Sequence, residues 1–282
     1  MIRKIRLERL IRNALEEDIG SGDLTTLAVV DGSGSGTAQV VAKDDIIVAG
    51  SDVFKEVFLF CDKNISIVTK CKDGQFAGRG DILAEISGSL NIILTAERVA
   101  LNFFQRMCGI ATLTRKYVDK ISETKAKILD TRKTIPCHRD LDKLAVRAGG
   151  GFNHRFGLYG GVLIKDNHIS AAGGIQNAVR MALDCIPPTL KVEVEVKDLG
   201  EVEEALSSGV DIIMLDNMKI ADMKKAVSLI NGRVLVEASG NVSLSNVKEI
   251  AETGVDFISV GAITHSAPAA DISLLMRQNK KG

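Results

Sequence analysis

The chain has 282 residues, 36 Lys plus Arg against 36 Asp plus Glu, no Trp and two Tyr. Such a length supports one large barrel or two domains around a buried core. Cancelled charge and scarce aromatics exclude a general nucleic-acid surface, which needs a basic stripe and stacking rings, and no apolar run approaches the roughly 18–20 residues of a membrane span. The five cysteines are odd in number and form no C-x-x-C pair, so they are expected as reduced thiols of a cytoplasmic protein and not as a zinc site. The start, "MIRKIRLERLIRNALEEDIG", sets apolar residues at helical spacing among charges and predicts an amphipathic helix, not a signal peptide.

Short alternating stretches follow, "GTAQVVAKDDIIVAG" and "ISIVTKCKDGQFAGRGDILAEISG", punctuated by glycine, which predict an antiparallel sheet. The run "NIILTAERVALNFFQRMCGIATLTRKYVDKIS" predicts a long helix interrupted near Gly109. Near residue 110 the pattern changes to strand, helix, strand. "AKILDT", "GVLIKD", "KVEVEV", "DIIMLDN", "RVLVEAS" and "DFISVGA" are short Val- and Ile-rich runs, separated by amphipathic stretches such as "LGEVEEALSSG". This alternation calls for parallel strands with crossover helices. A β/α barrel is the natural closure, with an open doubly wound sheet as the alternative.

In a barrel the working residues sit at the C-terminal ends of the strands. Those positions are Asp130, Arg132 and Lys133; Lys165, Asp166 and Asn167; Glu195; Asp216 and Asn217; Glu237 and Ser239; and Gly261. Glu195 lies inside its strand run, where an unpaired carboxylate would be costly. Between Asp130 and His168 the chain gathers seven Lys and Arg and three of its four histidines against four acids. Lys143 and Arg147 are spaced i, i+4 and are expected on a solvated helix face. Arg132–Lys133 and His154–Arg155 adjoin a strand end or a glycine loop, where a planar fork and a point charge suit carboxylate or phosphate. Glu195 and Asp216 supply carboxylates for Mg²⁺ or ribose hydroxyls. "EASGN" and "SVGA" offer small residues and backbone N–H groups, a common phosphate cradle. Together they describe a polyanion, a sugar and a metal.

"DTRKTIPCHRDLDKLAVRAGGGFNHRFGLYGGVLIKDNHI", with "EDIGSGDLTT", "AERVALNFFQRMCGIAT", "VEVEV", "MLDNM", "EASGNV" and "SVGAITHSAPAADISL", closely resembles the quinolinate phosphoribosyltransferases over nearly the whole chain. The resemblance implies a type II phosphoribosyltransferase fold. An N-terminal α/β sandwich (1–112, joined by a C-terminal tail, 270–282) would precede an incomplete, open β/α barrel (113–269). It also implies transfer of phosphoribose from phosphoribosyl pyrophosphate to quinolinate with loss of CO2, giving nicotinate mononucleotide for NAD synthesis. Lys133, Lys165, Glu195 and Asp216 become the expected catalytic and phosphoribosyl pyrophosphate-binding residues, with Ser239, Gly240 and Gly261. Glu195 and Asp216 are the expected Mg²⁺ ligands, and Arg132, His154 and Arg155 the quinolinate ligands, with bracing of the loop by hydrogen bonding as the alternative for His154. Arg98 is expected to reach the active site of a partner subunit, in a homodimer or a higher oligomer built on it. Asn167 and His168 are expected to orient their loop, Cys108 and Cys137 to be packing or incidental thiols, and His265 to lie near phosphate.

Three departures from the family's pattern stand out: "IPCHR", with Cys137 and His138, where proline–glycine usually follows "TRKT"; Gly160 where an acid is common; and Asn241 where a second glycine is frequent. A paralogue group associated with molybdate transport shares the "TRK" step but lacks the Asn153-His154-Arg155 and Lys165-Asp166-Asn167-His168 patterns. Two other classes stand as alternatives: a barrel lyase or aldolase with Lys165 as a Schiff base, and a non-catalytic anion-binding protein.

Overall fold

The computed structural model describes residues 4–30 and 34–277, so residues 278–282 of the expected tail lie outside the described residues. The chain divides into two compact units, one of Met1–Arg115, Ile135–Gly150 and Ala267–Gly282, the other of Lys116–Thr134 and Gly151–Ser266.

The first unit opens with α1 (Lys4–Ile19), amphipathic as expected, which buries Ile11 and Leu15 at i, i+4. After α2 (Leu24–Val29) come β1 (Ser35–Ala42), β2 (Ile46–Ile47), α3 (Ser51–Cys61), β3 (Ser66–Thr69), β4 (Phe76–Ala77) and β5 (Ile82–Ser89). β1 buries Ala38, Val40 and Ala42, the period of two of a half-buried strand. Its sheet is antiparallel in the order β12-β1-β5-β3, and β2 pairs with β4. The last strand of that sheet is β12 (Ile272–Arg277). α3 lays Val53, Phe54, Val57 and Phe58 into the core, with Phe54 5.2 Å from Phe58 and 5.1 Å from Phe104 between ring centroids.

The long helix α4 (Leu90–Lys120) runs without a break through Gly109. The expected interruption is therefore corrected. A Cβ at residue 109 would meet the Pro268 carbonyl oxygen at 2.0 Å, so the glycine permits a close backbone approach and does not end the helix. A second correction concerns α5 (Arg139–Ala148), which lies in the first unit and not with the barrel strands that flank it. Its face of Leu141, Ala145 and Val146 is buried, and buried Asp142 accepts two hydrogen bonds from Arg106, at 2.9 and 2.7 Å. Past its end, the Gly149 carbonyl accepts from Arg115 Nε at 3.1 Å. Lys143, expected in solvent, is 2% exposed on that packed side, while Arg147 is exposed.

The second unit holds β6 (Lys127–Leu129), β7 (Val162–Ile164), α6 (Asp166–Ala172), α7 (Ile175–Cys185), β8 (Val192–Val196), α8 (Leu199–Ser207), β9 (Ile212–Asp216), α9 (Ile220–Ile230), β10 (Leu235–Ser239), α10 (Val247–Ala251), β11 (Phe257–Ser259) and α11 (Ala262–His265). All its strand pairs are parallel, in the order β6-β11-β10-β9-β8-β7. From β7 to β11 each strand lies beside its successor, and β6 closes onto β11. A doubly wound sheet would reverse its order at a switch point; this one does not. Between β6 and β7 no pairing occurs among the described residues, so the barrel is open and six-stranded.

Candidate active site

A cavity of about 500 Å³ lies in the second unit, lined by Thr131, Arg132, Lys133, His154, Arg155, Leu163, Lys165, Glu195, Met214, Asp216, Asn217, Glu237, Ser239, Gly240, Asn241 and Ser259. Strand periodicity explains most of that lining. Lys165 follows β7 at the parity of Leu163, and Met214 and Asp216 are two apart on β9. Glu237 and Ser239 are two apart on β10, and alternate residues of a strand share one face. The residues after the strands then add loop cations at the same end.

Lys165 Nζ donates to Glu195 Oε2 in an ion pair. This answers the cost noted for a carboxylate inside that strand. Asp216 Oδ1 accepts from Asn217 Nδ2 at 3.0 Å, and Asn217 Oδ1 accepts from Asn241 Nδ2 at 2.8 Å. Gly240 has φ +94°, and a Cβ there would fall 2.3 Å from the Asn217 amide. Asn241 and Cys137 also have left-handed backbones, φ 48° and 67°. The two departures that replace glycine with a larger residue thus fall at positions where glycine costs least; asparagine tolerates that region better than cysteine does.

Arg155 Nη1 donates to the Gly161 carbonyl at 3.1 Å. Burial, and then the charge of Arg132, lowers its affinity for its proton. Two guanidiniums lining one cavity are arranged for an anion. Lys133 is held from both sides of its backbone: its N–H donates to Thr131 Oγ1 at 3.0 Å and its carbonyl accepts from Thr264 Oγ1 at 2.8 Å.

Beneath these groups sits a buried trio. His154 Nε2 lies 3.1 Å from Glu193 Oε2 and 3.7 Å from Glu237 Oε2. His154 Nδ1 accepts the Arg155 N–H at 2.7 Å, which places the imidazole proton on Nε2, facing the acids. Its backbone N–H donates to buried Asp130 at 2.9 Å. Both ring nitrogens thus have partners within the protein, and His154 also lines the cavity beside Arg155. Glu193 and Glu237 are 5% and 1% exposed. Burial, and then the negative charge of Glu193, pushes the Glu237 carboxyl up to about 8, so it is protonated at neutral pH.

Two families of sequences match the chain in succession: the quinolinate phosphoribosyl transferase N-terminal domain over residues 23–108 and its C-terminal domain over residues 110–275. The chain belongs to the quinolinate phosphoribosyltransferase family. It is 42% identical over 270 residues to a probable carboxylating nicotinate-nucleotide pyrophosphorylase of Bacillus subtilis, covering 96% of this chain and 93% of that one. With the chloroplastic nicotinate-nucleotide pyrophosphorylase of Arabidopsis thaliana it shares 46% over 287 residues, covering 95% and 82%. The solved nicotinate-nucleotide pyrophosphorylase of Francisella tularensis is similar at TM-score 0.93 and 44% identity, covering 98% of each chain. NadC from Streptococcus pyogenes is similar at 0.94 and 40%, covering 99% of each. The family's activity is pentosyl transfer to quinolinate with decarboxylation, in NAD biosynthesis. No described helix is long and apolar enough to cross a membrane.

Of the residues expected at the family's site, Arg132, Lys133, His154, Arg155, Lys165, Glu195, Asp216, Ser239 and Gly240 line the cavity. Gly261 does not; it lies at the start of α11, where a Cβ would meet the Lys133 side chain at 3.1 Å. Arg98 is an exposed residue of α4 in the first unit, with no ion pair among the described residues, and does not line this cavity. His168 Nδ1 accepts the Lys165 N–H at 3.0 Å, the loop-orienting part expected of it. His265 is exposed and lies against Ser266 Oγ at 2.6 Å. Glu193 was not singled out from the sequence. The signal was present in "VEVEV", because its two acids are two apart on one strand and must share a face.

Proposed function

We propose that this cavity binds quinolinate and phosphoribosyl pyrophosphate together, with Arg132 and Arg155 on the two carboxylates. Lys133 and Lys165 take the pyrophosphate, Ser239 and Gly240 the phosphate end, and Glu195 and Asp216 the ribose. Gly261 acts through Lys133, whose stem it lets pass. One observation carries the reading: four cations converge on one cavity whose facing strands present Glu195 and Asp216. The pyridine nitrogen is the nucleophile, so no protein nucleophile is required. Departure of pyrophosphate builds negative charge that Lys133 and Lys165 are placed to stabilise, a preorganised electrostatic contribution. Positive charge builds on the ribose beside Glu195 and Asp216. The ribosylated ring nitrogen is then the electron sink for loss of the adjacent carboxylate, without a separate organic cofactor.

The donor set suits Mg²⁺. Glu195 and Asp216 stand on neighbouring strands, and each has one oxygen beyond those bonded to Lys165 and Asn217. One or two carboxylates completed by substrate oxygens is the usual magnesium arrangement. Bound there, the ion would supply charge neutralisation of the pyrophosphate.

A Schiff-base lyase needs a neutral amine, whereas Lys165 is paired with a carboxylate. The enzyme is proposed to be a cytoplasmic homodimer in which Arg98 joins the partner's site; its exposure on a turn whose Ala96, Val99, Ala100 and Leu101 are buried supports this. The test is ultraviolet detection of nicotinate mononucleotide from quinolinate and phosphoribosyl pyrophosphate, with Mg²⁺ and with a chelator. Nicotinate in place of quinolinate should turn over poorly, because it leaves one guanidinium unmatched in the site, at a cost of several kcal/mol. Equal turnover of nicotinate, or indifference to the chelator, would contradict the assignment.

A further inference from the structure

Loss of CO2 leaves an electron pair on the ring carbon beside the ribosylated nitrogen, and a proton must take the place of the carboxylate. A second cavity of about 420 Å³ shows where that proton can come from. It is lined by the residues that start the strands, Lys127, Val162, Ile212 and Phe257 among them, so it opens at the opposite end of the barrel from the catalytic cavity. Among the described residues, the two cavities share only His154, Arg155 and Glu237. Of these three, Glu237 is the one whose side chain is a carboxyl, and it is 1% exposed. The Ser259 hydroxyl from β11 is placed to hydrogen-bond its carboxyl, and Oε1 of the neighbouring buried Glu193 lacks a hydrogen-bond partner among the described residues. A buried carboxyl shared by two cavities, beside an unpartnered buried oxygen on the wall of one of them, calls for a function.

We propose that Glu237 is the general acid of the decarboxylation, giving its proton to the ring carbon from the catalytic side and regaining one from water on the other. In the step, the bond from ring carbon to carboxylate breaks and CO2 leaves. The electron pair stays on carbon and takes the Glu237 proton, and the Glu237 carboxylate remains to be reprotonated through the second cavity. The groups facing Glu237 are Glu193 from β8, His154 from the loop before β7, Lys165 at the end of β7 and Ser259 from β11. Burial and then Glu193 favour the protonated acid, and His154, the Ser259 hydroxyl and Lys165 oppose them. Glu195 and Asp216 are poorer donors by geometry, being engaged as acceptors from Lys165 and Asn217.

This inference rests on the substrate placement proposed above, and the experiment separates the two. Rapid-quench single turnovers would follow pyrophosphate, CO2 and nicotinate mononucleotide together. If the wild-type enzyme releases no pyrophosphate from the two substrates, the placement itself fails. With wild type active, Glu237→Gln should release pyrophosphate but accumulate quinolinate mononucleotide, with the CO2-forming step slowed by about 10²–10⁴-fold, the usual contribution of a general acid. Glu237→Asp, which keeps a carboxyl, should recover part of that loss. Equal wild-type rates of pyrophosphate and nicotinate mononucleotide formation in Glu237→Gln would overturn the proposal. So would a loss falling equally on both steps in a variant of unchanged thermal stability. A measurement on wild type covers the case in which Glu237→Gln does not fold. The acid form is required, so the CO2-forming rate constant should be constant at low pH and fall as pH rises through about 8. A rate constant flat through that range would also overturn it.

Discussion

Replacement of Gly240 by alanine should damage the use of phosphoribosyl pyrophosphate through two separable penalties. The first is the backbone. With φ at +94°, an alanine is held in a left-handed conformation at roughly 1–2 kcal/mol. The second is overlap, because the new Cβ would lie 2.3 Å from Asn217 Cγ and Oδ1 and 2.5 Å from Nδ2. Asn217 must swing away, giving up its hydrogen bonds with Asp216 at 3.0 Å and Asn241 at 2.8 Å. Each such bond is worth roughly 0.5–1.5 kcal/mol, so the overlap share is about 1–3 kcal/mol and the whole about 2–5. The free enzyme relieves much of this by moving the loop, and binding must draw it back. The penalty therefore falls on kcat/KM for phosphoribosyl pyrophosphate, at least roughly thirtyfold for 2 kcal/mol. Initial rates with that substrate varied would measure it. Asn217→Gly, which suits the φ of 53° there, removes the amide that the Cβ strikes. In that background Gly240→Ala should cost only the backbone share, a favourable coupling of about 1–3 kcal/mol. Strict additivity of the two substitutions would refute the reasoning.

Lys133→Ala should chiefly weaken phosphoribosyl pyrophosphate use and Arg155→Ala chiefly quinolinate binding, each by about 2–4 kcal/mol, the cost of stranding a charged partner; unchanged quinolinate affinity in Arg155→Ala would make the Asn153-His154-Arg155 segment purely structural. Arg98→Ala and Arg155→Ala, each nearly inactive alone, should regain up to roughly a quarter of wild-type activity when mixed at random subunit exchange, since one site of the heterodimer carries neither change. Recovery absent despite proven exchange would remove Arg98 from a shared site. Gly109→Ala should lower thermal stability by about 1–3 kcal/mol, against the roughly 1 kcal/mol that helix propensity alone would add, because the Pro268 carbonyl stands 2.0 Å from the new Cβ. A raised melting temperature would refute the close approach.

The parallel strands were legible because Val- and Ile-rich runs and their crossover helices carry a local pattern, and each of the six expected barrel strands is present. The cavity's cations were legible because the barrel rule converts strand ends into positions in space. What stayed hidden depends on contacts between distant parts of the sequence. Gly109 reads as a helix breaker until Pro268 is seen against it. Lys143 reads as solvated until Arg106, 36 residues before Asp142, draws that side of α5 inward. The partners of the His154 ring, Glu193 on one nitrogen and the Arg155 N–H on the other, likewise appear only in the fold.

The chain passes between its two compact units four times, after residues 115, 134, 150 and 266. Neither unit is therefore a continuous stretch that could be cut out and expressed alone. During synthesis the barrel strands are all made before β12 emerges, and β12 is the strand that pairs with β1 along Thr37–Ala42. At about 5–20 residues per second, more than two hundred residues separate the two partners, so β1 waits many seconds with one edge unpaired. An open edge of that kind is a template for other chains. The nascent protein thus depends on β12, made after the whole barrel, to close the sheet that β1 began.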